Sequence, residues 1–418
     1  MNNKEIAFVI NGFPHTSETF IVNQIVAAIK GGHTISILAE HLQDIESSSQ
    51  SELLKLYHLM ESTSVFSKPA GGLCQNISLF FKILQNLPPK QRRILLKAFN
   101  VFTYRRDALT LDAFYHGARF IGHENNLIYH AQYGPNGRAA AIAKQLGIIR
   151  GKIITSFHGY DAHCDETNQK SLEKFYRPLF KWGDVFTANT HYLVDLLRRM
   201  GCPPEKISLL PMGVDTTLFS PTQKKNRPLT NRPIQLLSVG RLIYLKGHHL
   251  GLEIIKKIVT NKLTVNYTII GDGPEKENLL KQIDRLGLHD YVKLVGKKNQ
   301  KEVRDYMRNC DIFLMTSTGD NTGRRETQGM VNAEAQACGI PVVAFNSGGV
   351  GYTIDQGVSG ILVEEENTNH FAQAVIDLIN NPIQRETMGL AAVNFIQKNY
   401  SLDTTSRILN SIYDKVLI

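Results

Sequence analysis

The sequence predicts an α/β protein with two doubly wound parallel sheets, one in each of two domains that face each other across a cleft. The chain has 418 residues, which is more than one hydrophobic core usually serves. Short apolar segments alternate with helical patterns, and this alternation is typical of parallel sheets. The alternation stops at a polar stretch punctuated by prolines, SPTQKKNRPLTNRP, and then begins again, so a linker is expected there.

The first half contains the elements of one domain. Its first strand is EIAFVIN, and a helix is expected from Ser17, where Ser-Glu-Thr forms a cap before an apolar stripe. Further strands are predicted, in chain order, at HTISILA, NLIYHAQY, KIITSFHG, VFTANT and ISLLPM. Helical patterns separate most of them, among which are a long basic stretch, GRAAAIAKQLG and HYLVDLLRRMG.

The second half repeats this pattern after the linker. Strands are predicted at IQLLSVGR, VNYTIIGDG, YVKLVG, DIFLMTS and PVVAFN, with a helix between consecutive strands. Their apolar, β-branched composition is typical of strands that are buried on both faces. The chain ends in a helical pattern. We therefore predict a first domain over 1–212, a second domain over 213–395 and a terminal helical segment over 396–418.

The distribution of charge singles out the segment 62–106. The net charge of the chain is +9, yet no acid occurs from Ser62 to Arg106. Eight basic residues lie there among apolar stretches: Lys68, Lys82, Lys90, Arg92, Arg93, Lys97, Arg105 and Arg106. Such a mixture is typical of a segment that lies on an anionic membrane. Surface helices that pack on their own domain are the alternative. Nucleic-acid binding has the least support, so no nucleic-acid partner is expected.

Cysteine usage and the N-terminus indicate the compartment. The five cysteines are scattered and show no metal-binding spacing, which suits a reducing environment. The N-terminus lacks the apolar region of a signal peptide, and no apolar run approaches the roughly 20 residues that span a bilayer. We expect a cytoplasmic protein, which would be peripheral on the cytoplasmic face of the membrane if the basic segment binds lipid.

The stretch ETQGMVNAEAQACGIPVV carries two acids, Glu326 and Glu334, eight residues apart. On one helix they would lie about 80° out of register, so Glu326 is assigned to a loop and Glu334 to the helix that follows. The N–H groups of Gly329, Met330 and Val331 at the helix start form a site for phosphate. Acids beside such a site are better suited to accept hydrogen bonds from hydroxyl groups, one acid from a ribose and the other from a sugar. Two solvated glutamates are the alternative.

Arg241 and Lys246 follow a buried strand in SVGRLIYLKGHH. Two cations at the carboxyl end of a strand can hold a diphosphate, because arginine offers a bidentate fork and lysine a point charge. Two basic residues in a surface loop are the alternative.

His158 lies at the end of another predicted strand, in SFHGYDAH. Its imidazole could donate a hydrogen bond at a reacting centre, with the nearby carboxylate of Asp161 orienting the ring. A buried histidine bonded to the backbone is the alternative, and that alternative is stronger for His130 in YHAQYG.

Two glycines and one absence complete the inventory of motifs. Gly12 is expected to end the first strand in a turn that lets a ligand approach, and Gly271 begins GDGP. The full GxGxxG is missing, so a nicotinamide dehydrogenase is rejected. The chain contains no DxD and no metal-spaced His, Cys and acid cluster, so no metal and no cofactor are predicted.

Together these motifs resemble a known family. Two glutamates separated by seven residues, AxACGIPVV, VGRLxxxKG, PMGVD, GDGP and HGYD are similar to motifs of the family 4 retaining glycosyltransferases. The resemblance is specific over 209–364, and FPHTSETFIVNQI resembles the start of bacterial exopolysaccharide and lipopolysaccharide enzymes. It implies the GT-B fold, in which two Rossmann-like domains face each other across a cleft and the last helix, Leu402 to Ile418 here, crosses back to the first domain.

The resemblance implies roles for individual residues. Glu334 would bind the nucleotide ribose, Glu326 the hydroxyls of the donor sugar, and Arg241 and Lys246 the diphosphate leaving group. His158 would lie near the transferred sugar. The implied catalytic residues are His158, Arg241, Lys246 and Glu326. The implied nucleotide-sugar-binding residues are Gly12, Arg241, Lys246, Gly271, Glu326, Gly329, Met330, Val331 and Glu334.

The implied activity is that of a retaining, metal-independent hexosyltransferase. Its donor would be a UDP- or GDP-linked sugar, and its acceptor a glycan or a lipid-linked glycan. A nucleotide-sugar epimerase of the same fold and a non-catalytic nucleotide-sugar-binding protein are the alternatives. The sequence departs from many relatives at Thr327, Gln328 and Tyr352, which leaves the identity of the sugar open.

Overall fold

The computed structural model describes residues 4–15, 18–45, 48–68, 73–165, 167–222 and 232–418. The chain forms two compact units. Unit 1 comprises Met1–Asn189, Leu193–Leu210 and Ser406–Ile418, and unit 2 comprises Thr190–Tyr192 and Pro211–Thr405. The expected linker lies largely outside the described residues, and the change from unit 1 to unit 2 falls between residues 210 and 211, where the sequence predicts 212 and 213.

Unit 1 is built on a parallel sheet. In the part of the chain that the structure describes, its strands are β1 (Glu5–Phe13), β2 (Thr34–Leu42), β3 (Thr63–Val65), β4 (Ile128–Gln132), β5 (Lys152–Ser156), β6 (Val185–Ala188) and β7 (Ile207–Leu209). The strand order is β3-β2-β1-β4-β5-β6-β7. The register pairs Ile6 of β1 with Ile35 on one side and with Ile128 on the other.

Helices cover the sheet of unit 1. They are α1 (Thr19–Lys30), α2 (Ser51–Leu56), α3 (Leu73–Asn86), α4 (Pro89–Leu96), α5 (Val101–Tyr104), α6 (Arg106–Leu109), α7 (Asp112–Ala118), α8 (Gly134–Leu146), α9 (Gln169–Trp182) and α10 (His191–Arg199). Strand β1 is buried on both faces, since every side chain from Ile6 to Ile10 is almost inaccessible. This burial explains its continuous apolar sequence.

Unit 2 repeats the architecture. Its described strands are β8 (Ile234–Val239), β9 (Val265–Ile270), β10 (Val292–Leu294), β11 (Ile312–Met315), β12 (Val342–Phe345) and β13 (Gly360–Val363), in the order β10-β9-β8-β11-β12-β13. The helices are α11 (His248–Thr260), α12 (Lys276–Leu286), α13 (Gln300–Asn309), α14 (Met330–Ala337), α15 (Thr368–Asn380) and α16 (Pro382–Asn399). The last helix, α17 (Leu402–Lys415), begins in unit 2 and belongs to unit 1 from Ser406 onward. Strands β11 and β12 are completely buried.

The structure differs from the sequence prediction at three elements. Strands β3 and β13 were not predicted, although equally short strands such as β7 and β10 were. Strand β3 has the sequence TSV, which offers no apolar run to mark it. Strand β3 also lies inside the basic segment, which was expected to be helical. The predicted cap at Ser17 lies outside the described residues. Helix α1 begins at Thr19, and the preceding residue, Glu18, makes no side-chain capping bond.

The end of the chain completes the core of unit 1. Leu409, Ile412 and Val416 on one side of α17 and at its end lie in the same apolar cluster as Ile6 and Phe8 of β1. Lys4 forms an ion pair with Asp414. The chain therefore contributes its first strand and its last helix to one core, although about 400 residues separate them.

A buried polar chain joins α17 to the sheet. The hydroxyl of Tyr413 lies 2.7 Å from Nδ1 of His130, and Nε2 of His130 lies 2.8 Å from Oγ of Ser156. Oγ of Ser156 lies 2.7 Å from Oγ1 of Thr187. Burial, together with the neighbouring His158, lowers the pKa of His130 to about 3. His130 is therefore a neutral core histidine, in line with the alternative favoured by the sequence.

Tyr413→Phe should destabilise unit 1 by about 1–3 kcal/mol, because it leaves a buried nitrogen of His130 without its partner. The measurement is the urea midpoint of unfolding. Tyr160→Phe, at an exposed tyrosine, is the matched control. Equal midpoints for the two variants would contradict a structural role for the buried chain.

Candidate functional site

The sheet of unit 2 reverses its direction of strand addition between β8 and β11. In doubly wound sheets, ligands bind outside the carboxyl ends of the strands at this switch point. Arg241 and Lys246 follow β8, and Glu326 follows β11. The topology therefore brings the loops that carry these three residues to one edge of the sheet.

The loop after β8 is held by the backbone of the next strand. The N–H of Gly240 donates to the carbonyl of Ile270, and the N–H of Leu242 donates to the carbonyl of Asp272, both at 2.9 Å. Gly271 adopts a φ of 154°, and a Cβ there would lie 1.8 Å from the carbonyl oxygen of Gly240. Only glycine fits this approach. In this structure Gly271 thus supports the Arg241 loop through backbone packing.

Lys246 forms an ion pair with Glu326, and both side chains are less than one-fifth exposed. The resemblance implies the diphosphate as the ligand group of Lys246 and the donor sugar as that of Glu326, and the structure brings the two side chains into direct contact. The end of β11 positions the lysine, because Oγ1 of Thr316 donates to the Lys246 carbonyl at 3.0 Å. Gly247 is required beside it, since a Cβ there would lie 1.8 Å from the Thr316 carbonyl oxygen.

Arg241 is exposed, and its side chain makes no hydrogen bond or ion pair with any residue that the structure describes. Its guanidinium keeps all five donors for a ligand. The site therefore combines one neutralised cation with one whose charge is uncompensated.

The loop that carries Glu326 is clamped by unit 2. The amide of Gln328, which is completely buried, accepts from the N–H of Met212 at 2.8 Å and donates to the Met212 carbonyl at 2.9 Å. The Thr327 carbonyl accepts from Oγ1 of Thr190 at 2.7 Å. The sequence left Thr327 and Gln328 open as residues that select a sugar. The structure assigns the Gln328 side chain to the PMGVD backbone instead.

Two glycines after β12 make close contact with the same loop. The N–H of Gly349 donates to the Glu326 carbonyl at 2.7 Å. A Cβ on Gly349 would lie 1.8 Å from the Thr327 carbonyl oxygen, and a Cβ on Gly348 would lie 2.4 Å from that of Glu326. Sequence reasoning missed this pair. A double glycine directly after a buried strand was the available signal.

Helix α14 begins at Met330, as expected, and Gly329 precedes it with a φ of 77°. The N–H groups of Gly329, Met330 and Val331 have no acceptor within the described ranges. Together with the helix dipole they provide donors for an anion.

Glu334 lies one turn into α14 and forms no side-chain hydrogen bond with the described part of the chain. Burial raises the pKa of its carboxyl to about 8. The carboxylate is unfavourable there without donors, so hydroxyl groups that supply hydrogen bonds would stabilise the charged form. This is the property expected of a ribose-binding acid.

Glu365 anchors the loop between β11 and Glu326 and was also missed by the sequence. It accepts from the N–H of Gly319 at 2.6 Å, from Oγ of Ser347 at 2.9 Å and from Nε of Arg325 at 3.0 Å. Burial alone would raise the pKa of Glu365, but these donors outweigh it and hold the pKa below the ordinary value. Its partners lie 18 to 46 residues away in sequence, so no local pattern could reveal them.

In unit 1, His158 follows β5. Its Nε2 lies 2.9 Å from Oε1 of Gln132, whose Nε2 in turn donates to Oε1 of Gln24 at 2.8 Å. Burial lowers the pKa of His158 to about 3, so the ring is neutral. The expectation that Asp161 orients this ring is wrong. The Asp161 carboxylate accepts from the backbone N–H groups of His158, Gly159 and Gly134 at 2.8–3.1 Å.

Gly12 also differs from expectation. Strand β1 continues to Phe13, so Gly12 lies inside the strand opposite His41 and not in a turn. A Cβ on Gly12 would lie 2.6 Å from Nε2 of His41. The glycine makes room for that side chain.

No group of three or more His, Cys, Asp or Glu side chains among the described residues is placed to hold a metal ion. No helix in the described ranges has both the length and the apolar character needed to span a bilayer.

Comparison with known proteins gives two family matches. The model for glycosyl transferases group 1 matches residues 219–395, and the model for glycosyltransferase family 4 matches residues 76–218. The chain is 32% identical to the colanic acid biosynthesis glycosyltransferase WcaL of Salmonella typhimurium, over 88% of this chain and 89% of WcaL. It is 28% identical to the amylovoran biosynthesis glycosyltransferase AmsK of Erwinia amylovora, over 99% and 100% of the two chains.

Solved structures share the fold. HepE of Anabaena, in complex with UDP, superposes with a TM-score of 0.72 at 18% identity, over 98% of this chain and 100% of HepE. A glycosyltransferase of Rickettsia africae superposes with a TM-score of 0.70 at 20% identity, over 100% and 99% of the chains. With the two parallel sheets, these matches confirm the expected GT-B class with two Rossmann-like domains.

Glu334→Gln should stabilise unit 2 increasingly as the pH rises. The pKa of this carboxyl is about 8 in the fold and ordinarily 4.5, so the folded state binds the proton more tightly than the unfolded state. The associated stability is complete below pH 4.5 and is lost as the pH rises through 8. The melting temperature of the variant should exceed that of the wild type by about 5 °C at pH 8.5, or roughly 2 kcal/mol, and by almost nothing near pH 4.5.

Glu386→Gln on the exposed side of α16 is the matched control. Parallel curves of melting temperature against pH for Glu334→Gln and the wild type would contradict the raised pKa.

Proposed function

Because this chain belongs to the group 1 and family 4 glycosyltransferases, we propose that it transfers a hexose from a UDP- or GDP-linked sugar to a growing exopolysaccharide or its lipid-linked precursor. The ion pair between Lys246 and Glu326 beside the start of α14 carries the proposal. It concentrates a cation, an acid and free backbone donors at the switch point of a doubly wound sheet. The names of WcaL and AmsK favour exopolysaccharide as the product.

The leaving group determines what the site must supply. When the bond between the sugar and the diphosphate breaks, negative charge develops on the leaving oxygen and positive charge on the sugar ring. Arg241, Lys246 and the first N–H groups of α14 would stabilise the diphosphate, and each preorganised donor is typically worth about 3 kcal/mol. The proposed reaction uses no metal, as the family resemblance implies, and assigns the leaving group to these protein donors.

The ion pair would contact both the diphosphate and the transferred sugar of the donor. A lysine ammonium has three donors, and one of them is directed at Glu326. Two remain for the diphosphate. The Glu326 carboxylate can meanwhile accept hydrogen bonds from hydroxyls of the transferred sugar. Glu334 would accept from the two ribose hydroxyls.

The proposed reaction retains the anomeric configuration, as the family resemblance implies. In the proposal, the acceptor hydroxyl attacks from the face that the diphosphate leaves. His158 would contact the transferred sugar as a neutral hydrogen-bonding group, which suits its lowered pKa of about 3. The nucleotide-sugar-binding role that the resemblance implies for Gly12 stays an expectation.

The segment 62–106 is proposed to contact an anionic membrane. Its inner side packs on unit 1, since the ring of Phe80 lies 4.8 Å from that of Phe114 and Leu95 is buried. Its outer side exposes Phe102, Val101 and other large apolar side chains among the eight cations. The alternative of helices that pack on their own domain thus accounts for one side of the segment only.

Arg241→Ala and Lys246→Ala should each lower turnover by about 10²–10³-fold, because each removes a donor to the leaving group. A thermal-shift panel of nucleotide sugars first identifies the donor. Release of nucleotide with and without acceptor then measures turnover. Lys256→Ala, at an exposed lysine on α11, is the charge-matched control. Product analysis separates transfer from epimerisation, because an epimerase changes the sugar without acceptor.

Unchanged turnover in Arg241→Ala would refute the proposed role of this residue. An inverted product anomer, observed by NMR, would refute retention, and loss of turnover in EDTA would refute metal independence.

The protein should co-sediment with vesicles that contain phosphatidylglycerol and remain in the supernatant with pure phosphatidylcholine. The contact is in part electrostatic, so raising the salt concentration should weaken it. Co-sedimentation that does not depend on anionic lipid would refute the membrane contact.

A further inference from the structure

We infer that unit 1 carries a second anion site, a pocket between α5, α6, α8 and α9 that binds the phosphate-bearing head group of a membrane lipid. The pocket is separate in sequence and fold from the strand ends of unit 2 that carry Arg241 and Lys246. It has a volume of about 560 Å³. The inference rests on the proposed membrane contact and specifies where the lipid would be held.

The lining of the pocket is strongly basic. Its cations are Arg105, Arg106, Arg138, Lys174, Arg177 and Lys181. One acid, Asp107, also lines it, so six positive charges and one negative charge leave an excess of five. Like charges at this density repel one another, and a bound anion relieves the repulsion.

The one acid of the pocket, Asp107, is already paired with a cation of the pocket wall. Arg138 forms an ion pair with Asp107 in which both side chains are mostly buried. The Arg138 guanidinium also donates to the Phe175 carbonyl at 2.9 Å and lies 4.6 Å from the centre of the Phe175 ring. Arg138 is therefore a fixed part of the wall, which leaves the other cations to bind the ligand.

The remaining five cations have no counter-charge in the fold. They are all exposed, and none of them pairs with an acid in the ranges that the structure describes. Lys174, Arg177 and Lys181 project from α9, and Arg105 and Arg106 come from the junction of α5 and α6. Two separate parts of the chain thus direct uncompensated charge to one pocket, which a solvated helix face does not require.

The backbone at the pocket rim is strained. Arg105 adopts a φ of 49°, a conformation that favours glycine. A non-glycine residue in such a conformation is stabilised only by its surroundings, and such residues concentrate at ligand sites.

The apolar neighbours identify the ligand as a lipid. Phe102 lines the pocket and is 98% exposed, Leu109 is 72% exposed and Val101 is 48% exposed. An anion that binds from solution has no use for these side chains. A head group in a bilayer places the acyl boundary beside them, where they lose their contact with water. Basic residues for the phosphate and aromatic residues for the boundary are the two components of interfacial recognition.

The test compares pocket variants with matched surface variants of the full-length protein. Lys174→Gln/Arg177→Gln removes two unpaired charges from α9, and Lys170→Gln/Arg150→Gln removes two exposed charges that do not line the pocket. Binding is measured with phosphatidylglycerol vesicles, phosphatidylcholine vesicles and dissolved sodium diphosphate. The pocket variant should bind phosphatidylglycerol at least tenfold more weakly than the wild type, whereas the surface variant should lose less than threefold.

Arg105→Gly separates ligand binding from folding. It relieves the strained backbone, so its melting temperature should be at least that of the wild type, while its binding to phosphatidylglycerol should fall several-fold. Donor hydrolysis without lipid should be unchanged in both pocket variants, because the donor residues lie in unit 2. Unchanged hydrolysis with weakened vesicle binding supports the pocket even if the proposed sugar acceptor is wrong.

Three results would overturn the inference. Equal vesicle binding by the pocket variant and the surface variant would show that the charge acts without a defined site. Binding of dissolved diphosphate with no binding of vesicles would assign the pocket to a soluble anion. Loss of lipid-free donor hydrolysis in a correctly folded pocket variant would make the pocket part of the donor chemistry.

Discussion

The ion pair between Lys246 and Glu326 joins the two loops that leave the sheet of unit 2 on either side of its switch point. The rest of the site depends on this contact. It requires the chain after β8 and the chain after β11 to approach within the length of two side chains. A backbone contact at Gly247 makes that approach possible, because a side chain there would overlap the carbonyl oxygen of Thr316 at the end of β11. Gly271 and Gly349 support the two loops from the neighbouring strands in the same way, through close contact with the carbonyl oxygens of Gly240 and Thr327. The glycines and the ion pair therefore act together. The glycines allow close backbone packing of the loops, and the ion pair places a cation and an acid side by side at the site.

The sequence predicted most of the fold and the ends of the strands where the site residues lie. Alternation identified all of the described strands except β3 and β13, and β3 has only the short sequence TSV with largely exposed side chains. Position after a strand was sufficient to group Arg241, Lys246 and Glu326, because carboxyl ends of parallel strands share one edge. Local spacing cannot show which distant residues hold these three side chains in place. The Gln328 clamp on Met212 spans 116 residues, so the sequence offered this glutamine as a ligand contact although it is a structural one.

Unit 1 shows the same limit in another form. Asp161 is close to His158 in sequence, and proximity suggested that its carboxylate orients the ring. The carboxylate instead satisfies three backbone donors, which are obligatory partners in a buried turn. The ring is held by Gln132, 26 residues away. Where a buried backbone and a side chain compete for one acid, the many unsatisfied N–H groups prevail, and a sequence motif does not reveal this competition.

The assignment of Ser406–Ile418 to unit 1 has a consequence for folding during translation. Domains usually fold in the order in which they are synthesised, but the first unit of this chain remains incomplete while the whole of the second is made. The hydrogen bond between His130 and the hydroxyl of Tyr413 cannot form until Tyr413, which is 283 residues away, has been synthesised. Until synthesis ends, the apolar face of β1 that receives the last helix is uncovered and open to nonnative partners. A nascent chain of this protein therefore cannot complete the core of its N-terminal unit before it has made the whole of unit 2 and then the residues of α17.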